Sequence, residues 1–293
     1  MANILTNIKL AFRRGSIPAK LIYINVGAFI ILRLCDVCFL LFNIRGISLY
    51  DYVNMPASPA LLLQRPWTLI TYMFTHSGFL HILFNMLWLY WFGAIFLQSF
   101  RPRQLGGLYL MGGMAGGLMF MAAYNIFPYF SAISASSSLM GASASVMAIV
   151  FAVSFYRKDY EIRLLFLGRI KLIYLALGAF VFDLLAITSD NNAGGHIAHI
   201  GGALLGIWFA SRMNRGKDIT AFMNRAIDAI VNITKPRPRM HVSYRRSETK
   251  YEYNARKQKA NAEIDAILDK LKRSGYNGLS SEEKKKLFDA SKN

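Results

Sequence analysis

The sequence predicts an all-α membrane protein: six transmembrane helices followed by a small helical cytoplasmic tail. Three observations lead there. The chain is 54% hydrophobic over 293 residues, with mean hydropathy +0.31. The apolar residues gather into six segments, at about 21–43, 79–100, 105–127, 139–156, 170–188 and 197–211. The loops between these segments alternate between rich and poor in basic residues, the long 44–78 loop holding only Arg45 and Arg65, as expected of a chain that crosses a bilayer repeatedly.

The elements follow in order. Residues 1–20 are basic and mixed (Lys9, Arg13, Arg14, Lys20) and form a cytoplasmic N-terminal segment. No cleavable signal peptide is evident, and the next segment is long enough to span. Cys35 and Cys38 both fall in that first segment, one helical turn apart. They read as buried thiols, because nothing around them suggests a thioredoxin-like setting. Arg33 and Asp36, three apart on the same helix, are expected to pair. The 44–78 loop is long, partly apolar and carries Trp67, so it is expected in the interfacial zone.

Arg101 and Arg103 separate the second and third segments, while 128–138 has no basic residue. Arg157, Lys158, Arg163, Arg169 and Lys171 separate the fourth and fifth, 189–196 has none, and Arg212, Arg215 and Lys217 follow the sixth. Both termini are therefore expected in the cytoplasm. Spanning ~30 Å of hydrocarbon takes about 20 helical residues, so the fourth and sixth segments look short. The membrane domain is set at 21–212.

Residues 213–254 comprise an amphipathic stretch (217–233) and a linker marked by Pro236 and Pro238. The amphipathic stretch suits either the inner membrane surface or a partner helix. Residues 255–293 read as a cytoplasmic helical hairpin, broken at Gly275 and restarted by the capping box Ser280-Ser281-Glu282-Glu283. The net charge of +18 is explained by cytoplasmic retention of positive charge without invoking nucleic acid.

With this topology the second, fourth and sixth helices run in the same direction. His81 and Asn85, Ser143, and His199 then fall near the same end of three parallel helices. An intramembrane histidine is costly without a partner and is a functional candidate by default. A fourth helix from Ser143 to Tyr156 has 14 residues, only ~21 Å, and would begin below the surface. Irregular backbone at that depth implies a buried or water-lined site. The pattern therefore predicts Ser143 as nucleophile and His199 as its base. The amides of Ala142 and Ser143, with the side chains of His81 and Asn85, would hold the oxyanion. His199, Gly202, Ala203 and Gly206 on the sixth helix face Ala144, Ala148 and Ala152 on the fourth, small residues that let the two helices approach.

These residues resemble the motifs of the rhomboid family of intramembrane serine proteases. H-x-x-x-N appears as His81–Asn85, G-x-S-G in part as Gly141-Ala142-Ser143-Ala144, and A-H-x-x-G-x-x-x-G complete as Ala198–Gly206. The resemblance covers about 20–212 and implies a rhomboid-like six-helix bundle with the same site roles. It also implies lateral entry of a transmembrane client, which unwinds to reach Ser143. Three positions depart from the family pattern: Ala144 replaces a glycine, Met147 a frequent tyrosine, and Trp67-Thr68 a Trp-Arg pair.

The expected function is cleavage of peptide bonds in or near transmembrane segments of client proteins. The partners are those clients and the lipid bilayer, with no nucleic acid and no cofactor. The expected compartment is a bacterial inner membrane, since no transit-type leader precedes the first span. A non-catalytic scaffold that binds transmembrane clients is the alternative. A zinc protease is set aside because His196 and His199 have no H-E-x-x-H pattern and no nearby carboxylate. A transporter is set aside because repeated broken helices are missing. His196 is read as lying in a Gly-Gly loop near the surface, and His76 as a loop or substrate-entry residue. Asp183 is read as a structural hydrogen-bonding group or a third member orienting His199.

Overall fold

A computed structural model describes residues 15–164, 168–188, 192–234 and 249–291. Lys9, Arg13 and Arg14 of the N-terminal segment, and Pro236 and Pro238 of the linker, lie outside the described residues. The chain divides into two compact units, Met1–Lys235 and Pro236–Asn293.

The first unit is built from α1 (Ile17–Leu41), α2 (Phe79–Phe96), α3 (Pro102–Ile126), α4 (Ser143–Tyr156), α5 (Leu172–Ala186), α6 (Ala193–Met213) and α7 (Thr220–Thr234). Four of these, α1, α2, α3 and α6, are long and apolar enough to cross a membrane, and α4 and α5 are shorter apolar helices. Arg33 and Asp36 pair on α1 at 3.4 Å.

The sixth helix is not short. It has 21 residues and starts at Ala193, whereas α5, with 15, is the second short helix. Gly194 and Gly195 look like loop punctuation in the sequence but are helical here. The amides of Gly195 and His196 donate to Asn192 O at 2.9 and 3.2 Å. A methyl group at Gly194 would lie 2.8 Å from the Phe120 ring, so that glycine lets α6 approach α3 rather than turning the chain.

α4 forms the centre of the unit, buried from Ala144 to Ser154. A Cβ on Gly202 would stand 2.1 Å from Ala144 O, and one on Gly206 2.3 Å from Ala148 O. On the other side, Gly112 and Gly116 of α3 abut the Ala148 and Ala144 methyl groups. Backbone approach of this kind maximises dispersion contact where lipid removes the hydrophobic drive between helices.

The 44–78 loop is folded rather than open. It contains short helical turns at Tyr50–Val53, Pro59–Gln64 and Thr68–Thr71. It also contains β1 (Met55–Pro56), which pairs antiparallel with β2 (Ser138–Leu139), Met55 opposite Leu139. Trp67 Nε1 donates to Tyr52 O at 2.7 Å, and Thr71 Oγ1 to Val53 O at 2.7 Å. Between α4 and α5 the basic loop folds into a hairpin, β3 (Glu161–Leu164) with β4 (Gly168–Lys171). The amphipathic α7 packs on α3: Arg103 donates to both Asp228 carboxylate oxygens at 3.0 and 2.8 Å, and Gln104 Nε2 donates to Asp218 at 2.9 Å.

The second unit contains α8 (Lys250–Ser274) and α9 (Ser281–Ala290). α8 begins ahead of residue 255, because Thr249 and Glu252 form a capping box. Gly275, with φ +70°, ends it, and the Ser280–Glu283 capping box starts α9. Ion pairs Lys270–Glu283 and Lys286–Glu263, each at 2.9 Å, join the two helices, with Ile267 and Leu279 buried.

Candidate active site

The segment entering α4 sets the site. Gly141 has φ +124°, a region that strongly favours glycine, and its amide donates to Tyr72 O at 2.9 Å. Ala142 is the helix cap, and Ser143 is the first helical residue. The first backbone bond of the helix runs from Val146 N–H to Ala142 O at 3.0 Å. The amides just before Val146 therefore have no intrahelical acceptor. Ser143 is half-buried between fully buried neighbours.

His81 sits in the first turn of α2. Its Nδ1 is 3.0 Å from Ser77 Oγ and accepts from Ser77 N–H at 3.4 Å. An amide can only donate, so the ring proton belongs on Nε2. A Cβ built on Gly141 would fall 2.9 Å from that Nε2 and 3.6 Å from Ser143 Oγ. The missing side chain at 141 thus leaves the histidine and the serine facing a common space. Asn85 Nδ2 donates to His81 O at 2.8 Å with one hydrogen, leaving the second available.

His199 Nδ1 is 2.9 Å from Asp183 Oδ1, and His196 Nδ1 is 2.7 Å from the same oxygen. Asp183, with a side chain only 6% exposed, is the carboxylate that the sequence analysis found missing from the neighbourhood of the two histidines. The expectation that no carboxylate stands near His196 and His199 therefore does not hold. The candidate ligand atoms of Asp183, His196 and His199 lie within 4.8 Å of one another, so these three residues could hold a metal ion. As they stand they satisfy one another, and an ion would have to replace both hydrogen bonds. His196 is also corrected: it is buried within α6 rather than in a surface loop. His76 lies outside the helices, fully buried, with its ring edge-on to His81 at 5.1 Å between centroids. Burial, and then the nearby His81, push its pKa down to about 3.

Ser143, His199, His81, Asn85 and Asp183 all line one cavity of about 710 Å³, lined elsewhere mainly by apolar side chains. That volume is in the range of ligand-binding clefts. Ala142 is buried outside this lining, so only its backbone is relevant. No hydrogen bond joins Ser143 to His199 among the described residues. A serine with an imidazole across a pocket, facing ring and amide N–H donors, has the parts needed for acyl transfer.

Residues 63–215 match the Rhomboid domain family, and residues 250–293 match a family of unknown function, DUF6576. The chain is 28% identical to RHOMBOID-like protein 12, mitochondrial, of Arabidopsis thaliana over 208 residues, covering 67% of this chain and 58% of that protein. It is 30% identical to Rhomboid-related protein 1 of Caenorhabditis elegans over 148 residues, covering 49% and 38%. It is 44% identical to Rhomboid-like protein 16, chloroplastic, of Arabidopsis thaliana over 57 residues, covering 20% and 18%. The matched stretch thus spans less than two thirds of each of these relatives.

Proposed function

The chain belongs to the rhomboid family and is an integral membrane protein, and from that premise we propose that it is an intramembrane serine endopeptidase acting on transmembrane client proteins. The observation that carries this reading is the single cavity shared by Ser143, His199, His81 and Asn85, contributed by three different helices.

In the proposed reaction Ser143 Oγ attacks the scissile carbonyl carbon while its proton passes to His199 Nε2. The carbonyl π pair moves onto oxygen, where the Ala142 and Ser143 amides, His81 Nε2–H and the second Asn85 N–H stabilise it. Collapse breaks the C–N bond, and His199 returns the proton to the departing amine. Water then repeats the sequence on the acyl-serine, releasing the acid and restoring Ser143. The mostly apolar wall of the cavity suits a segment arriving from lipid, and the polar floor suits the water that hydrolysis consumes.

We further propose six crossings with both termini cytoplasmic, supported by the alternation of basic loops. A bacterial inner membrane is the proposed compartment, although two of the matched relatives carry mitochondrial and chloroplastic names. The competing reading is a rhomboid-like scaffold that holds clients without cutting them. It is favoured by the lack of a direct Ser143–His199 hydrogen bond, although such bonds are often loose before substrate arrives.

Cleavage of a reporter transmembrane substrate in liposomes, together with labelling by a fluorophosphonate, tests the proposal. Ser143→Ala and His199→Ala are expected to lower cleavage by on the order of 10⁴-fold or more, and Ser143→Ala to abolish labelling. Retained cleavage in either variant rejects the proposed chemistry. Binding of clients without cleavage by the wild type selects the scaffold.

A further inference from the structure

Asp183 is out of keeping with its helix. Its neighbours Phe182, Leu184 and Leu185 are 66%, 46% and 69% exposed, whereas Asp183 points inward and is buried. A carboxylate in that position is costly unless fully paired. Both of its mapped partners are imidazoles, and both bond to the same oxygen, Oδ1. One of these imidazoles, His199, borders the cavity together with Ser143, and so does Asp183 itself.

A carboxylate oxygen only accepts. A neutral His199 bonded to it must therefore carry its proton on Nδ1, which leaves the lone pair on Nε2. That is the tautomer a base needs if it is to take a proton from serine. The bond also fixes the ring plane. His196, one helical turn away on α6, bonds to the same oxygen and gives the carboxylate a second hold.

We propose that Asp183 is a positioning residue for the reaction, a third member that fixes the tautomer and orientation of His199, with His196 anchoring the carboxylate. The proposal rests on the hydrolase reading above. Besides Asp183 and the two α6 histidines, the titratable groups lining the cavity are His81 on α2 and Tyr174 on α5, and Tyr124 of α3 lies close to Gly194. α4 supplies no charged side chain. Asp183 is therefore the only acidic side chain lining the cavity among the described residues.

The test measures kcat, KM and the pH profile of the full chain in liposomes, on the reporter substrate. Active protein is counted by fluorophosphonate titration. Asp183→Asn keeps an acceptor oxygen and loses the charge, so kcat is expected to fall about tenfold. Asp183→Ala loses both, and kcat should fall on the order of 10²-fold, with KM little changed. In both variants the acid limb of the kcat profile should differ from that of the wild type, because the group bonded to the base has changed. His196→Gln retains a donor for Asp183 and is expected to lower kcat by less than Asp183→Asn does.

If the Asp183 variants keep wild-type kcat and an unmoved acid limb per titrated site, the carboxylate only holds the helices together and the inference is overturned. Loss of activity in His196→Gln equal to that in His199→Ala would assign the base elsewhere and overturn it too. A wild type that never labels or cleaves sinks the hydrolase reading, and the inference with it. Active wild type with unaffected Asp183 variants sinks the inference alone.

Discussion

α4 and α5 are nearly equal in length, 14 and 15 residues, and both are apolar, yet they occupy opposite environments. α4 is buried without a break from Ala144 to Ser154, whereas on α5 only Leu172, Ala176, Asp183 and Ala186 are buried. Side-chain size accounts for the difference. Ala144, Ala148 and Ala152 let the glycines of α3 and α6 reach the α4 backbone, while the large side chains Phe182, Leu184 and Leu185 of α5 stay exposed. Ser143 is thus carried by the most constrained helix of the unit. The carboxylate bonded to His199 sits on one of the least constrained. Hydropathy alone does not separate these two cases, but residue volume does.

The largest expected effect that probes this contrast is Gly202→Val. With a Cβ already 2.1 Å from Ala144 O, the branched side chain must force α6 away from α4. We expect a loss of about 3 kcal/mol or more in unfolding measurements in detergent. A variant as stable as wild type would show that α4 is not tightly held.

An intermediate effect concerns His76, buried with its ring against His81. Its pKa is about 3 when folded, against about 6.5 unfolded, so the unfolded chain takes up the proton first. This contribution to stability is complete above about pH 6.5 and declines by up to about 1.4 kcal/mol per pH unit as pH falls towards 3. Thermal unfolding across that window should be less pH-dependent in His76→Asn. Identical slopes would mean that His76 is already charged in the folded protein.

The smallest effect is expected at Gly178 on α5, where a Cβ would meet nothing within 4 Å. Gly178→Ala should leave stability unchanged or raise it by up to about 1 kcal/mol, as expected for an open helical position. A clear loss in the same detergent assay would show that α5 is packed more closely than its exposed side chains indicate.

The sequence made α4 legible because its signals are local: a glycine before Ser143, small residues at helical spacing, and Arg157 at the end. The same spacing rule read the facing surface of α6 correctly. It failed at 194–196 because two consecutive glycines signal a turn when context is unknown, whereas here Phe120 of a distant helix demands the first of them and the Asn192 side chain crowds the second. The β1–β2 pairing was invisible, since two-residue strands have no periodicity and their partners are far apart in the chain. The β3–β4 hairpin did carry a period-two signal, in Glu161-Ile162-Arg163-Leu164, masked by its basic residues. His81, Asn85, Ser143 and His199 were nominated from spacing and shared depth. The tie from Asp183 to both histidines depends on a contact between α5 and α6 that no local pattern encodes.

The two rungs joining Met55-Pro56 to Ser138-Leu139 have a practical consequence. The strand that delivers the serine is splinted by a stretch of chain read out long before it. Exchanging the 44–78 region with a relative's would therefore leave the 137–141 stretch without its splint unless both pieces travel together. Engineering of that loop for client preference is best planned as a paired transplant.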